Sequence, residues 1–215
     1  MRPRLWAATM VPTNLDHILL GVSDLDRGVA WVEQRTGIRA VFGGVHPGRG
    51  TRNALLALGP RRYLEIIAPD PEQPGKGSYD MLKSMTEPRL FNWAVHTDDI
   101  AALAKKASAA GIDIDSPRDG SRARPDGKTL HWKSAGLKDD HGGLLPFFIE
   151  WSRDSLHPSE DAPKGCTLKR FFIESPAARE LAAECGKLGI DVEVASGSAA
   201  RLRATISSPK GDVEL

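Results

Sequence analysis

The sequence predicts an α+β protein built from tandem βαβββ units, and three observations carry that prediction. A short apolar strand, an Asp-Leu or Asp-Ile and an amphipathic helix follow one another in LDHILLGVSDLDRGVAWV (15–32) and again in LFNWAVHTDDIAALAKKA (90–107). A Gly-Ile pair closes each helix, at Gly37-Ile38 and Gly111-Ile112, and a third copy has Gly189-Ile190. Each copy then ends on a strand that carries glutamate: RYLEIIAP with Glu65, PFFIEW with Glu150 and GDVEL with Glu214. Elements that recur in one order at a near-constant period mark a repeated supersecondary unit.

The helices come first because their periodicity is the clearest. Leu25, Val29 and Val32 make one stripe, Ile100, Leu103, Ala104 and Ala107 a second, and Ala178, Leu181, Ala182, Cys185 and Leu188 a third, so each helix packs one side on a sheet. Ser23 with Asp26 fits a capping box, and Ser175 before Pro176 reads as a cap followed by proline at the first helical position. Gly37, Gly111 and Gly189 are stop signals. After each Gly-Ile there are roughly 25 to 40 residues, room for three strands of average length. The linkers PDPEQPGKG and SRDSLHPSEDAPKG, rich in proline, glycine and charge, separate units placed at 13–70, 89–152 and 166–215.

Composition sets the outer bounds. A chain of 215 residues, 40% apolar and 27% charged, can bury a sizeable core. Its 29 basic and 28 acidic side chains give no overall field to draw in nucleic acid or an anionic membrane, so neither is expected as a partner. The N-terminal MRPRLWAATMVPTN is broken by threonines and Pro12 and is too short for a signal-peptide core or a membrane span, which makes the cytoplasm the expected location. Cys166 and Cys185 are read as free thiols, Cys185 on the apolar stripe of its helix.

Strand alternation sorts the candidate site residues. His17, Leu19 and Gly21 share one face and Ile18, Leu20 and Val22 the other, and the all-apolar set belongs under the helix. By the same test Glu65 points away from Leu64 and Ile66, and Glu150 away from Phe147, Ile149 and Trp151. The glycine-rich GGVHPGRGTRN carries His46, Arg49, Thr51, Arg52 and Asn53; it lacks the Gly-Lys-Ser/Thr ending of a phosphate loop, and it opens a strand where a dinucleotide site needs a helix. It reads either as a strand connection or as a substrate loop with His46 and Asn53 pointing in. SRARPDG sets Arg122 and Arg124 before a turn, as surface arginines or as a guanidinium pair for a carboxylate or phosphate, with Trp132 as an aromatic wall. There is no GxSxG elbow and no paired-cysteine zinc pattern.

The units with DHILLGVSDL at the start and YLEI at the end resemble the vicinal oxygen chelate superfamily of glyoxalase I, extradiol dioxygenases and bleomycin-resistance proteins. Within it, GGVHPGRGTRNALLALGPRRYLEII, SRARPDGKTLHW and LPFFIEW are similar to the glyoxalase-like domain group. The resemblance implies that the first two units set their sheets edge to edge as a half-barrel cup, with helices outside. It also implies a metal site at the positions of His17, Glu65, Asn92 and Glu150. Three of those match a ligand set, so one divalent ion (Zn, Ni, Mn or Fe) on His17, Glu65 and Glu150 is expected, with Asn92 a poor fourth ligand left to the substrate. Glu150 or His46 would move a proton, and Asn53, Asn92, His96, Arg122, Arg124 and Trp132 would hold the substrate. His96 lies four residues beyond Asn92, roughly 13 Å along a strand, so it can act only at the rim.

The expected function is therefore a metal-dependent enzyme of lyase, isomerase or dioxygenase type acting on a small oxygenated or anionic molecule. The alternative is a metal-free protein that sequesters a small ligand. The third unit has Leu168 where the first has His17 and so offers no metal half-site. It is expected to pair two chains into a homodimer through Leu168 and Phe172, the competing possibility being that it folds back on the outer surface of the first pair.

Overall fold

The computed structural model of the chain describes residues 11–73, 80–124 and 126–215. Residues 1–10, 74–79 and 125 fall outside the described residues, and with them most of the N-terminal stretch, part of the first linker and the proline of the Pro-Asp-Gly signal.

The first unit is β1 (Leu15–Gly21), α1 (Leu25–Thr36), β2 (Val41–His46), β3 (Thr51–Ala57) and β4 (Tyr63–Pro69). The second is β5 (Arg89–His96), α2 (Ile100–Ala109), β6 (Arg118–Ala123), β7 (Thr129–Ala135) and β8 (Phe147–Trp151). Their strands form one eight-stranded sheet in the order β2-β3-β4-β1-β5-β8-β7-β6. Each unit closes on itself by a parallel pair, β1 with β4 and β5 with β8, and the two join along an antiparallel β1–β5 seam, so the second half repeats the first about that seam. The sheet curls until its edge strands β2 and β6 meet, making the expected cup nearly a closed barrel. Gly44 makes that approach possible: at φ +143° a Cβ on it would lie 2.4 Å from the carbonyl oxygen of Ala123.

The helices obey their stripes, but their starts differ from the sequence expectation. Asp24 and Asp99, not Ser23, cap α1 and α2, accepting from the backbone N–H of Arg27 and Ala102. Both directly precede the first helical residue in an extended conformation, which points the carboxylate at the N–H three residues on. The helix α3 (Ala178–Leu188) has no side-chain cap, although Ser175 accepts from the N–H of Ala177. Gly37 and Gly189 terminate α1 and α3 in the left-handed conformation, as expected.

The third unit follows the βαβββ order with β9 (Thr167–Ser175), α3, β10 (Glu193–Ser196), β11 (Arg201–Ser208) and β12 (Gly211–Glu214), but it is paired differently. Its sheet runs β10-β9-β11-β12, with β10 beside β9, so it is not a third copy of the cup-forming unit. The connection through α3 brings β10 directly alongside β9, where the cup units place their last strand. This sheet lies against the convex side of the barrel. Leu168, Phe171, Ile173, Leu181 and Cys185 join the same buried cluster as Ile18, Leu20, Trp93 and Phe148, and the rings of Phe171 and Trp93 sit 4.9 Å apart. The fold-back alternative thus describes Leu168. Phe172 lies on the opposite face of β9, half-buried with the Arg170 guanidinium 4.2 Å from its ring, so the apolar pair expected to centre a dimer contact is split. Both cysteines are free and buried.

Candidate active site

A cavity of about 380 Å³ fills the cup. Around the barrel, β1 presents His17 and Leu19, β4 presents Tyr63, Glu65 and Ile67, and β2 and β3 present His46 and Asn53. Alternation places these as expected. The opposite wall is different: β8 presents Phe147, Ile149 and Trp151, and β7 presents Trp132.

Glu150 is therefore corrected. Its carboxylate lies on the helix side, where Oε2 accepts from the backbone N–H of Ile100 at the start of α2 at 2.8 Å. The register explains why. Leu19 pairs with Glu65 in the first unit, and Ala94, two residues past Asn92 as Leu19 is two past His17, pairs with Phe147 in the second. Phe147, not Glu150, occupies the place of Glu65. Asn92 does face the cavity, but its side-chain oxygen accepts from the N–H of Trp93.

His96 and Arg124 also fall outside the cup. His96 lines a second pocket near the C-terminal end of α3, with Nε2 3.0 Å from Asp98. Arg124 forms ion pairs with Asp126 and Asp161. The cavity wall does hold Arg122 and Trp132, as expected.

Glu65 is the centre of the polar wall. Its Oε1 accepts from Asn53 Nδ2 at 2.7 Å, His17 Nε2 lies 3.5 Å from Oε2 and His46 Nε2 lies 3.6 Å from Oε1. Burial pushes the carboxyl up, but the His46 and His17 rings, the Asn53 amide and the Arg122 guanidinium outweigh it and hold it below the ordinary glutamate value. Glu65 is ionised at neutral pH. His46 is pushed down to about 4, first by burial and then by Arg122, Arg49 and His17, against the pull of Glu65. It is neutral, its Nδ1 paired with Thr51 Oγ1 at 2.9 Å, and its Nε2 turned toward Glu65 and Asn53.

Strand alternation does not mark Asp16 as a site residue. Residues 16 and 17 should face opposite ways, but β1 bulges there: Leu15 pairs with Val95 and His17 with Ala94, leaving Asp16 over. Asp16 is 1% exposed, and its carboxylate meets His17 Nδ1 at 2.7 Å, His157 Nε2 at 3.2 Å and Trp151 Nε1 at 3.1 Å. Burial raises its pKa, yet the bonds from His157 and His17 and their charge interactions hold it well below the usual carboxylate range. An ionised carboxylate only accepts, so His17 donates to Asp16 from Nδ1–H, which fixes the ring with its Nε2 on the Glu65 side. His157, buried in the second linker, is fixed the same way: its Nδ1 accepts from the N–H of Ser159 and its Nε2–H donates to Asp16. Tyr63 stacks on the His17 ring with centroids 4.5 Å apart.

The expected metal does not fit this geometry. Glu150 is turned away, the second half offers only Asn92 and Phe147, and among the described residues no group of three His, Cys, Asp or Glu is arranged to hold an ion. The charge of Glu65 is met instead by the His46 and His17 rings and the Asn53 amide, and more weakly by Arg122, which is 4% exposed and donates to Asn53 Oδ1 at 2.9 Å.

Among the described residues no helix is long and apolar enough to cross a membrane. No curated protein is significantly similar to the chain. A hypothetical protein of Staphylococcus aureus has a similar structure at 16% identity, with a TM-score of 0.71 over 95% of this chain and 98% of its own. Methylmalonyl-CoA epimerase from Mycobacterium tuberculosis is similar at 22% identity, with a TM-score of 0.50 over 69% of this chain and 94% of its own. Both likenesses concern the fold. The model of the glyoxalase-like domain family matches residues 15–189, and with the cup of paired βαβββ units this places the chain in that family, within the vicinal oxygen chelate superfamily.

Proposed function

We propose that the cup is the active site of a glyoxalase-like enzyme that moves a proton on a small anionic molecule. The observation that carries this reading is the ionised Glu65 carboxylate, buried between two imidazole nitrogens and tied to a single amide. Glu65 takes the proton from the substrate. The neutral His46, beside it, holds or returns the proton, and His17, oriented by Asp16, flanks the carboxylate on the other side. Arg122 receives the substrate's charge. Once an anion neutralises Arg122 and displaces water, one of the groups that hold Glu65 acidic is silenced, and its basicity rises when it is needed.

The test follows hydrogen exchange from activated C–H positions of small carboxylic acids in heavy water by NMR, for the chelator-treated wild type and Glu65→Gln. The wild type should exchange, and Glu65→Gln should be slower by roughly 100-fold or more. Exchange that survives in Glu65→Gln refutes the base assignment. Exchange that vanishes with the chelator and returns with a divalent ion restores the metal-dependent reading, and ligand binding without any exchange favours a sequestering protein.

A further inference from the structure

Resting on that reading and extending it to the substrate, we infer that the cup takes a monocarboxylate with an aromatic or bulky apolar body, its carboxylate on Arg122 and its body along Trp132, Trp151 and Phe147. Arg122 carries the first half of the inference. It is 4% exposed and bonds Asn53, and among the described residues no carboxylate comes within ion-pair distance of it. A buried guanidinium is costly unless an anion completes it. The fork has five donors and Asn53 accepts from one nitrogen, which leaves donors for a planar, bidentate partner. The position is also built with care: a Cβ on Gly43 would lie 2.2 Å from the outer nitrogen of Arg122, so β2 keeps glycine where the guanidinium crosses between the edge strands.

Charge balance selects the valence of the ligand. The cavity wall holds three arginines, Arg49, Arg118 and Arg122, and three acidic residues, Glu65, Asp115 and Asp140. A dianion such as a phosphate monoester would bring two charges beside the ionised Glu65, against one for a carboxylate.

The far wall selects the body. Polar groups gather on β1 to β4 and at the β2–β6 approach, whereas β8 and β7 present Phe147, Ile149, Trp151 and Trp132. Trp132 and Trp151 stand 5.5 Å apart and tilted at 56°, a surface for an aromatic ring. Asn53 joins the two ends chemically, since one amide both donates to Glu65 and accepts from Arg122. A carboxylate on Arg122 therefore brings the carbons next to it toward Glu65.

Calorimetric titration with phenylacetate, phenylacetamide, phenyl phosphate and acetate tests this on the intact chain. Phenylacetate should bind tightest, with the amide and the phosphate each weaker by roughly 10-fold or more and acetate weaker by a similar factor. Arg122→Gln should weaken phenylacetate by roughly 30-fold and phenylacetamide by far less, since the neutral amide has no charge to lose its partner. Trp132→Ala should reduce phenylacetate toward acetate while keeping the carboxylate preference. Equal binding of phenylacetate and phenylacetamide to the wild type overturns the inference whether or not Arg122→Gln folds, as does tighter binding of the phosphate. Binding with no hydrogen exchange would leave the inference standing and remove the proton-transfer reading; exchange on substrates that lack a carboxylate would do the reverse.

Discussion

His46 and Asp16 are both buried titratable groups, and their opposite charge states follow from their partners. Asp16 accepts from three nitrogens and stays charged; His46 is kept neutral first by burial and then by Arg122, Arg49 and His17, which together outweigh the Glu65 carboxylate beside it. The His46 value of about 4 in the native chain, against 6.5 for an ordinary histidine, means the unfolded chain binds more protons between those pH values. Its contribution is complete above pH 6.5 and is lost as the pH falls toward 4, a total of roughly 3 kcal/mol. Urea melts at pH 7 and 4.5 should show the wild type losing roughly 2 to 3 kcal/mol more than His46→Gln. Equal losses would mean that His46 is not held neutral. At this scale the sequence was readable where one strand face was uniformly apolar, which identified His17 and Glu65. It was not readable at Asp16, because nothing in LDHILL marks a bulge, nor at His157, whose surroundings in SRDSLHPSEDAPKG have the composition of an exposed linker.

At the scale of elements, β8 shows how alternation misleads when a cavity wall is itself apolar. Hydrophobicity alone puts Phe147, Ile149 and Trp151 on the helix side, but in this cup they line the cavity, and Phe148 fills the core beneath α2. Glu150, freed from the cup, has a structural part: its carboxylate accepts from the Ile100 N–H and places negative charge at the positive end of α2, which Asp99 also caps. Glu150→Ala should lower stability by about 1 kcal/mol, the usual worth of a helix-terminal acceptor, with phenylacetate affinity unchanged. Denaturant melts and calorimetry on the same variant separate the two effects. Unchanged stability together with lost binding would return Glu150 to the cup. The GGVH run was legible as glycine-rich, but its reason is geometric and lies across the barrel: Gly43 and Gly44 leave the space through which Arg122 and Ala123 approach β2.

For the molecule as a whole, the third sheet acts as a cover. Its inward side chains Leu168, Phe171, Ile173, Leu202 and Ile206 are all nearly inaccessible and belong to the cluster under the barrel, while its outward face carries paired charges, Lys169 with Asp212 and Arg170 with Glu193. The repeat was visible in sequence because element order is local; the changed strand order was not, because pairing depends on which edge the chain finds after α3. Burying a large apolar side chain is worth about 1.5–3 kcal/mol, so losing this many contacts approaches the whole stability of a typical domain, about 5–15 kcal/mol. A chain ended after Pro163 should therefore lose its cooperative thermal transition or melt more than about 10 °C lower, since a loss of 1 kcal/mol already shifts the midpoint of a domain this size by about 2–4 °C. It should also bind a hydrophobic dye at the uncovered surface around Trp93. Calorimetry and dye fluorescence on both chains decide the matter. A truncated chain that melts like the full one and binds phenylacetate equally well would show that the cup stands alone and that the third sheet has some other purpose.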